Sequence, residues 1–110
     1  MSFEKLLRAK RLRPHEPSQS EIRDLTEGAF RDLRHVQESS DLDWRFIAAY
    51  SAALSLATVP LVASGFRAQG AGHHVTVIAA LPESLGPEAA ELAAALNEFR
   101  ALRNKALYDQ

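Results

Sequence analysis

The residues with the most chemistry to offer lie near the carboxyl end of the chain. On a helical wheel of about 100° per residue, Asn97, Asn104 and Tyr108 line up at a step of seven and then four, with Arg100 nearby. Arg103 falls elsewhere, between Leu92 and Leu96 in angle and inside the apolar sector. A guanidinium there must be paired or reach outward, because burying an unpaired charge is prohibitive. Asp32, at the edge of an upstream apolar stripe, is its expected partner, clamping two helices together. The competing reading has Arg100, Arg103, Asn104 and Tyr108 make a phosphate or RNA contact at one end of the molecule, since guanidinium forks match phosphate oxygens. Residue types alone favour the clamp.

The remaining candidates exclude more than they support. His73 and His74 are adjacent, so on a helix their rings diverge by about 100° and cannot ligate one ion from one face. His15 and His35 are distant in sequence, no pair of histidines stands at i and i+4, and no metal site is expected. The chain has no cysteine, which removes a disulfide scaffold, a thiolate zinc site and a cysteine nucleophile. Gly65, Gly70 and Gly72 match neither GxGxxG nor a Walker pattern, so no cofactor is expected. No Ser-His-Asp set is suggested by spacing. Tyr50 and Trp44 read as core or interface residues.

The elements that must position these side chains read as helices. Alanine and leucine, at 19 and 15 residues of 110, are strong helix formers, and aromatics are few, which argues against an all-β fold. Ser18 and Glu21 stand at a capping-box spacing before a stripe of Ile22, Leu25, Ala29, Leu33 and Val36, a first long helix. The polar run Glu38 to Asp41 is a turn, with Asp41 or Asp43 capping a second helix from about Leu42 to Ser64. That helix has Ile47, Ser51, Leu54 and Thr58 on one side and Ala49, Ala52, Leu56 and Ala63 opposite. Pro60 is expected to kink it, and Gly65 suits its C-terminal cap. Residues 73–81 are ambiguous, with Val75, Val77 and Ile78 β-branched, but a lone strand would have no partner, which favours a short helix. Gly86 and Pro87 mark the start of a last helix with a stripe of Leu92, Ala95, Leu96, Phe99, Leu102 and Ala106. The expected fold is all-α, an up-and-down four-helix bundle with a short third helix.

The length is that of one domain, here read as a basic N-terminal segment, 1–17, and a helical bundle, 18–110. The net charge of −1 lacks the strongly basic signature of a non-specific DNA binder. Its distribution is uneven: Lys5, Arg8, Lys10, Arg11 and Arg13 crowd the start, where a helical turn or two docked with a solvated basic face is the expected arrangement. Pro14, His15 and Pro17 occupy the place of a secretory h-region, so no signal peptide is expected. Residues 46–66 carry no charge and are long enough to cross a bilayer. Tyr50, Ser51, Ser55, Thr58, Pro60, Ser64 and Gly65, together with the preponderance of alanine, favour a buried bundle helix in a soluble, cytoplasmic protein with no membrane partner.

One resemblance joins these features. The uncharged second helix with Ala48-Ala49-Tyr50-Ser51-Ala52-Ala53-Leu54, the Gly-Phe-Arg loop ending at Arg67, the pair His73-His74 and the closing run from Arg100 through Arg103-Asn104 to Tyr108 resemble the HEPN superfamily over roughly residues 18–108. These are small helical bundles of prokaryotic toxin–antitoxin and defence systems. The resemblance implies a homodimer through the second and last long helices. In the catalytic branch it implies a metal-independent ribonuclease with an Arg and a His four to six residues apart on the last helix. Here Arg103 and Asn104 match the start of that motif, but Tyr108 stands where the histidine belongs. A tyrosine of ordinary pKa near 10 does not shuttle protons at neutral pH. The expected function is therefore a non-catalytic binding or interaction module. It contacts RNA, a nucleotide or a partner protein through Arg100, Arg103, Asn104, Tyr108 and Arg67, as an accessory to a larger system. Two alternatives stand beside it: an endoribonuclease in which His73 or His74 supplies the missing imidazole to Arg103, and a purely structural dimeric bundle.

Overall fold

The computed structural model describes residues 2–108, the side chains of Ala106 and Tyr108 excepted. It is a mostly helical globule of five helices, four of them long, with one very small sheet. In chain order they are α1 (Phe3–Arg8), β1 (Leu12–Pro14), α2 (Gln19–Glu38), α3 (Leu42–Ala63), β2 (Phe66–Ala68), α4 (His73–Leu85) and α5 (Ala90–Tyr108), with a 3₁₀ turn, Pro87–Ala89, leading into α5.

Local signals set the helix ends. The Ser18 hydroxyl accepts the Glu21 N–H at 3.1 Å, starting α2. The reciprocal half of the capping box is diverted: the Glu21 carboxylate meets His15 Nε2 at 2.7 Å instead. Asp41 caps α3 by accepting from the N–H groups of Asp43 and Trp44. Pro60 stands near the end of α3, which runs on through it to Ala63. Gly65 follows with φ +93°, a conformation that favours glycine and turns the chain into β2.

Successive helices pack on one another, α2 on α3, α3 on α4 and α4 on α5, and α3 also meets α5. Residues 73–85 form a helix, and it is the most central one: Thr76, Val77, Ile78, Ala80 and Leu81 are buried. The core joins these residues to Ala57 and Leu61 of α3 and to Ala89, Ala93 and Leu96 around the start of α5. Leu6 and Leu12, each 1% exposed, belong to the same core. The basic segment thus docks through its leucines while Lys5, Arg8, Lys10 and Arg13 stay in solvent. Arg11 Nε donates to the buried Thr76 hydroxyl at 3.1 Å and ties the segment to α4.

Two features depart from the expected bundle. First, β1 and β2 pair antiparallel, with Leu12 opposite Ala68, Arg13 opposite Arg67 and Pro14 opposite Phe66. Three-residue strands carry no periodic signal, so this ladder is invisible to sequence pattern. Second, α5 is rotated from its expected orientation. Ala93 and Leu96 are buried, whereas Leu92, Phe99 and Leu102 of the expected stripe are about half exposed. The wheel of α5 has two apolar sectors, and the small side chains Ala89 and Ala93 allow the closer approach to α4. Trp44 is exposed and Tyr50 is buried. Among the described residues α3 is the one helix long and apolar enough to cross a membrane.

Candidate functional site

α2 packs chiefly on α3 and leaves a cleft between itself and the α4–α5 side of the molecule. The inner end of this cleft, about 270 Å³, is bounded by Leu25, Ile47, Tyr50, Ser51, His74 and Arg103, among others. Three helices therefore bring one functional group each to the same place: Tyr50 from α3, His74 from α4 and Arg103 from α5. The α3 wall is the Ile47–Ser51–Leu54–Thr58 side, whose hydroxyls recur on a helix that carries no charge after Arg45.

The Tyr50 hydroxyl lies 3.3 Å from His74 Nδ1, which leaves Nε2 as the ring nitrogen not engaged by Tyr50. Burial raises the Tyr50 phenol above its usual range, with Arg100 and Arg103 opposing the shift. The phenol stays protonated at neutral pH and serves as a fixed hydrogen-bonding group. Burial also lowers the His74 imidazole, and the positive charges of Arg103, His73 and Arg100 push in the same direction. Arg100 Nε donates to Asn97 at 3.0 Å, and an Arg103 terminal nitrogen donates to Asn104 at 3.1 Å.

The expected Asp32–Arg103 clamp is not formed. Asp32 accepts a hydrogen bond from the Ser51 hydroxyl at 2.9 Å. Among the described residues the ion pairs are Arg8–Glu4 and His15–Glu21, so neither Arg100 nor Arg103 has a carboxylate partner. The reason is tertiary: Asp32 is turned to α3, on which α2 packs, and the cleft separates it from α5. Of the other expected site residues, Asn104 is half-buried beside Arg103, His73 is exposed at the first position of α4, and Arg67 is exposed in β2. The Tyr108 side chain lies outside the described residues. Tyr50, read from the sequence as a core or interface residue, is the member of the site that residue type did not single out; its position about one helical turn after Ile47 on α3 is the signal that could have found it. No group of three His, Cys, Asp or Glu side chains able to hold a metal occurs among the described residues.

The His74 shift has a measurable consequence. Its folded pKa lies below the unfolded 6.5, so the unfolded chain takes up the proton first. The stability linked to the neutral imidazole is complete above about pH 6.5 and is lost as pH falls through the lowered folded value. Thermal unfolding of the wild type should therefore lose more Tm between about pH 7 and pH 5 than that of His74→Phe. Parallel losses in the two proteins count against a depressed imidazole.

Comparison of the chain with protein-family models, curated proteins and solved structures finds no match. What the fold defines is the class, a small and mostly helical globule. Function must be argued from the cleft.

Proposed function

We propose that this chain is a HEPN-like binding module that takes the phosphate of an RNA strand or nucleotide in the cleft where α5 meets α3 and α4. One observation carries the reading: the half-buried guanidinium of Arg103 borders the cleft, half-buried Arg100 stands one helical turn before it on α5, and neither has a carboxylate partner among the described residues. A partly desolvated cation without a counter-charge is costly, and an incoming phosphate supplies that charge. His74 and Tyr50 add two uncharged hydrogen-bonding groups at the same point. The reading implies a cytoplasmic setting and needs no metal.

The test is a fluorescence anisotropy titration with a single-stranded oligoribonucleotide at two salt concentrations. Engagement of two phosphates by the two arginines predicts a log–log salt slope of roughly −1.4. Absence of binding at low salt rejects the proposal and leaves a structural bundle.

A second reading, metal-independent cleavage of the bound RNA, is favoured by the neutral His74 imidazole beside Arg103. An imidazole of lowered pKa can accept the proton of a ribose 2′-hydroxyl as that oxygen attacks the adjacent phosphorus, while the guanidinium neutralises charge growing on the phosphoryl oxygens. It predicts cleavage in the presence of a chelator that is lost in both Arg103→Ala and His74→Ala. Intact RNA after prolonged incubation at high protein concentration removes this second reading and leaves the first.

The partner we propose is a second copy of the chain, meeting it through α3 and α5. Leu56 on α3 and Leu92, Phe99 and Leu102 on α5 are exposed, and residues 46–66 present no charge to a neighbour. Phe46 of α3 meets Phe99 edge-on with ring centroids 6.0 Å apart, so exposed apolar side chains of α5 adjoin α3, and clustered exposed apolar surface marks an interaction site. The mass in solution should be that of a dimer and should halve in Phe99→Glu/Leu102→Glu; a wild-type monomer at tens of micromolar removes the proposal.

A further inference from the structure

The cleft does not end at Arg103. It opens outward into a groove of about 810 Å³ between α2 and the corner formed by β2 and the start of α4. The volume is within the range of pockets that enclose a single small molecule or one residue of a polymer. Its two walls differ in chemistry. The α2 wall is net acidic, presenting Glu21, Asp24 and Asp32 with one cation, Arg31, and the opposite wall presents His74 and Arg67. A continuous polyanion would be repelled along the α2 side, so the part of a ligand that faces α2 has to be a hydrogen-bond donor rather than a phosphate.

Two further observations bear on the occupant. Gly28 sits between Asp24 and Asp32 on the groove side of α2, in mid-helix, where glycine is less favourable than alanine. Within 4 Å of a Cβ built there lies only the end of the Arg31 side chain, at 3.5 Å. No neighbouring helix needs the missing methyl, so the space belongs to the groove. Arg67 lines the ladder end of the groove, and Arg13 stands opposite it in the β1–β2 ladder, a like-charged cross-strand pair that is unfavourable by itself. The groove therefore runs from one cationic end at α5 to another at the ladder, with carboxylates facing its middle.

Resting on the phosphate-binding reading above, we propose that the groove between α2 and the β2–α4 corner is a nucleobase subsite for single-stranded RNA. The base lies against Gly28 with its exocyclic amino group directed to Asp24, one helical turn before it, and the flanking phosphates lie on Arg103 and Arg67. A carboxylate only accepts hydrogen bonds, and cytosine, adenine and guanine carry an amino donor that uracil lacks. The subsite thus prefers amino-bearing bases.

The experiment compares oligocytidylate with oligouridylate of equal length. The two carry the same phosphate charge and differ at the base edge, with an amino group on cytosine where uracil has a carbonyl. Oligocytidylate should bind at least fivefold more tightly to the wild type. Asp24→Asn should reduce that ratio to near one while leaving oligouridylate binding unweakened. Gly28→Leu should raise thermal stability, since it improves helix propensity, and yet weaken oligocytidylate severalfold. Equal affinity for the two oligomers, with binding still lost in Arg103→Ala, overturns the base subsite and leaves the phosphate site standing. No binding of either oligomer overturns both.

Discussion

Replacing Arg103 by alanine is expected to weaken single-stranded RNA binding by about 10- to 100-fold, the 1.5–3 kcal/mol typical of a hydrogen bond to a charged group. The same substitution is expected to leave folding stability unchanged or slightly raised. The two outcomes have one cause. Arg103 is half-buried with an asparagine, not a carboxylate, as its side-chain partner. Its guanidinium thus loses hydration in the folded protein without gaining a counter-charge among the described residues, and removing it costs the fold little. Arg103→Lys should recover part of the affinity, because the charge returns but the planar fork does not. Arg100→Ala should weaken binding less, because its Nε is already engaged by Asn97. The salt slope should fall by roughly 0.7 with Arg103→Ala if one phosphate contact is lost. A variant that binds RNA like the wild type, or that unfolds, is incompatible with the site described above. Denaturant unfolding beside the anisotropy titration distinguishes these cases.

The second large effect concerns the start of the chain. Leu6→Ala is expected to destabilise the protein by about 2–5 kcal/mol, the range for emptying a fully buried leucine site. Leu92→Ala, at an exposed position of α5, should change stability by about 0.5 kcal/mol or less. Leu6 is 1% exposed, and Leu92 is 52% exposed. Leu6 lies in α1, packed into the core with Leu12, Leu61 and Leu81. Loss of residues 2–14 would also remove β1, leaving β2 without the strand it pairs with. Denaturant midpoints of the two leucine variants measure the contrast, and equal effects would mean that the first helix is not part of the cooperative core.

Much of the fold was legible because its signals are local. Ser18 and Asp41 cap the helices that follow them, Gly65 ends α3, and Gly86 with Pro87 opens the way into α5; each acts through backbone groups a few residues away. The ambiguous residues 73–81 resolve as helix, where Thr76, Val77 and Ile78 are buried at the centre of the molecule and need no strand partner. The orientation of α5 was not legible. Both apolar sectors of its wheel satisfy the same periodicity, and the choice depends on which neighbours reach it. The Asp32–Arg103 pairing failed for the same reason: sequence places both residues on inward-facing sectors, but α2 packs chiefly on α3, so Ser51 is the partner within reach.

By itself the amino-acid sequence determined the starts of α2 and α3, the end of α3 near Gly65 and the mostly helical class, because capping, periodicity and propensity act over a few residues. Only the tertiary structure decided that residues 12–14 pair with residues 66–68, that Tyr50 and His74 meet across a cleft beside Arg103, and that Asp32 turns away to Ser51. Those contacts join segments distant in the chain, and their selection follows from how closely small side chains let one helix approach another, a property of the assembled core.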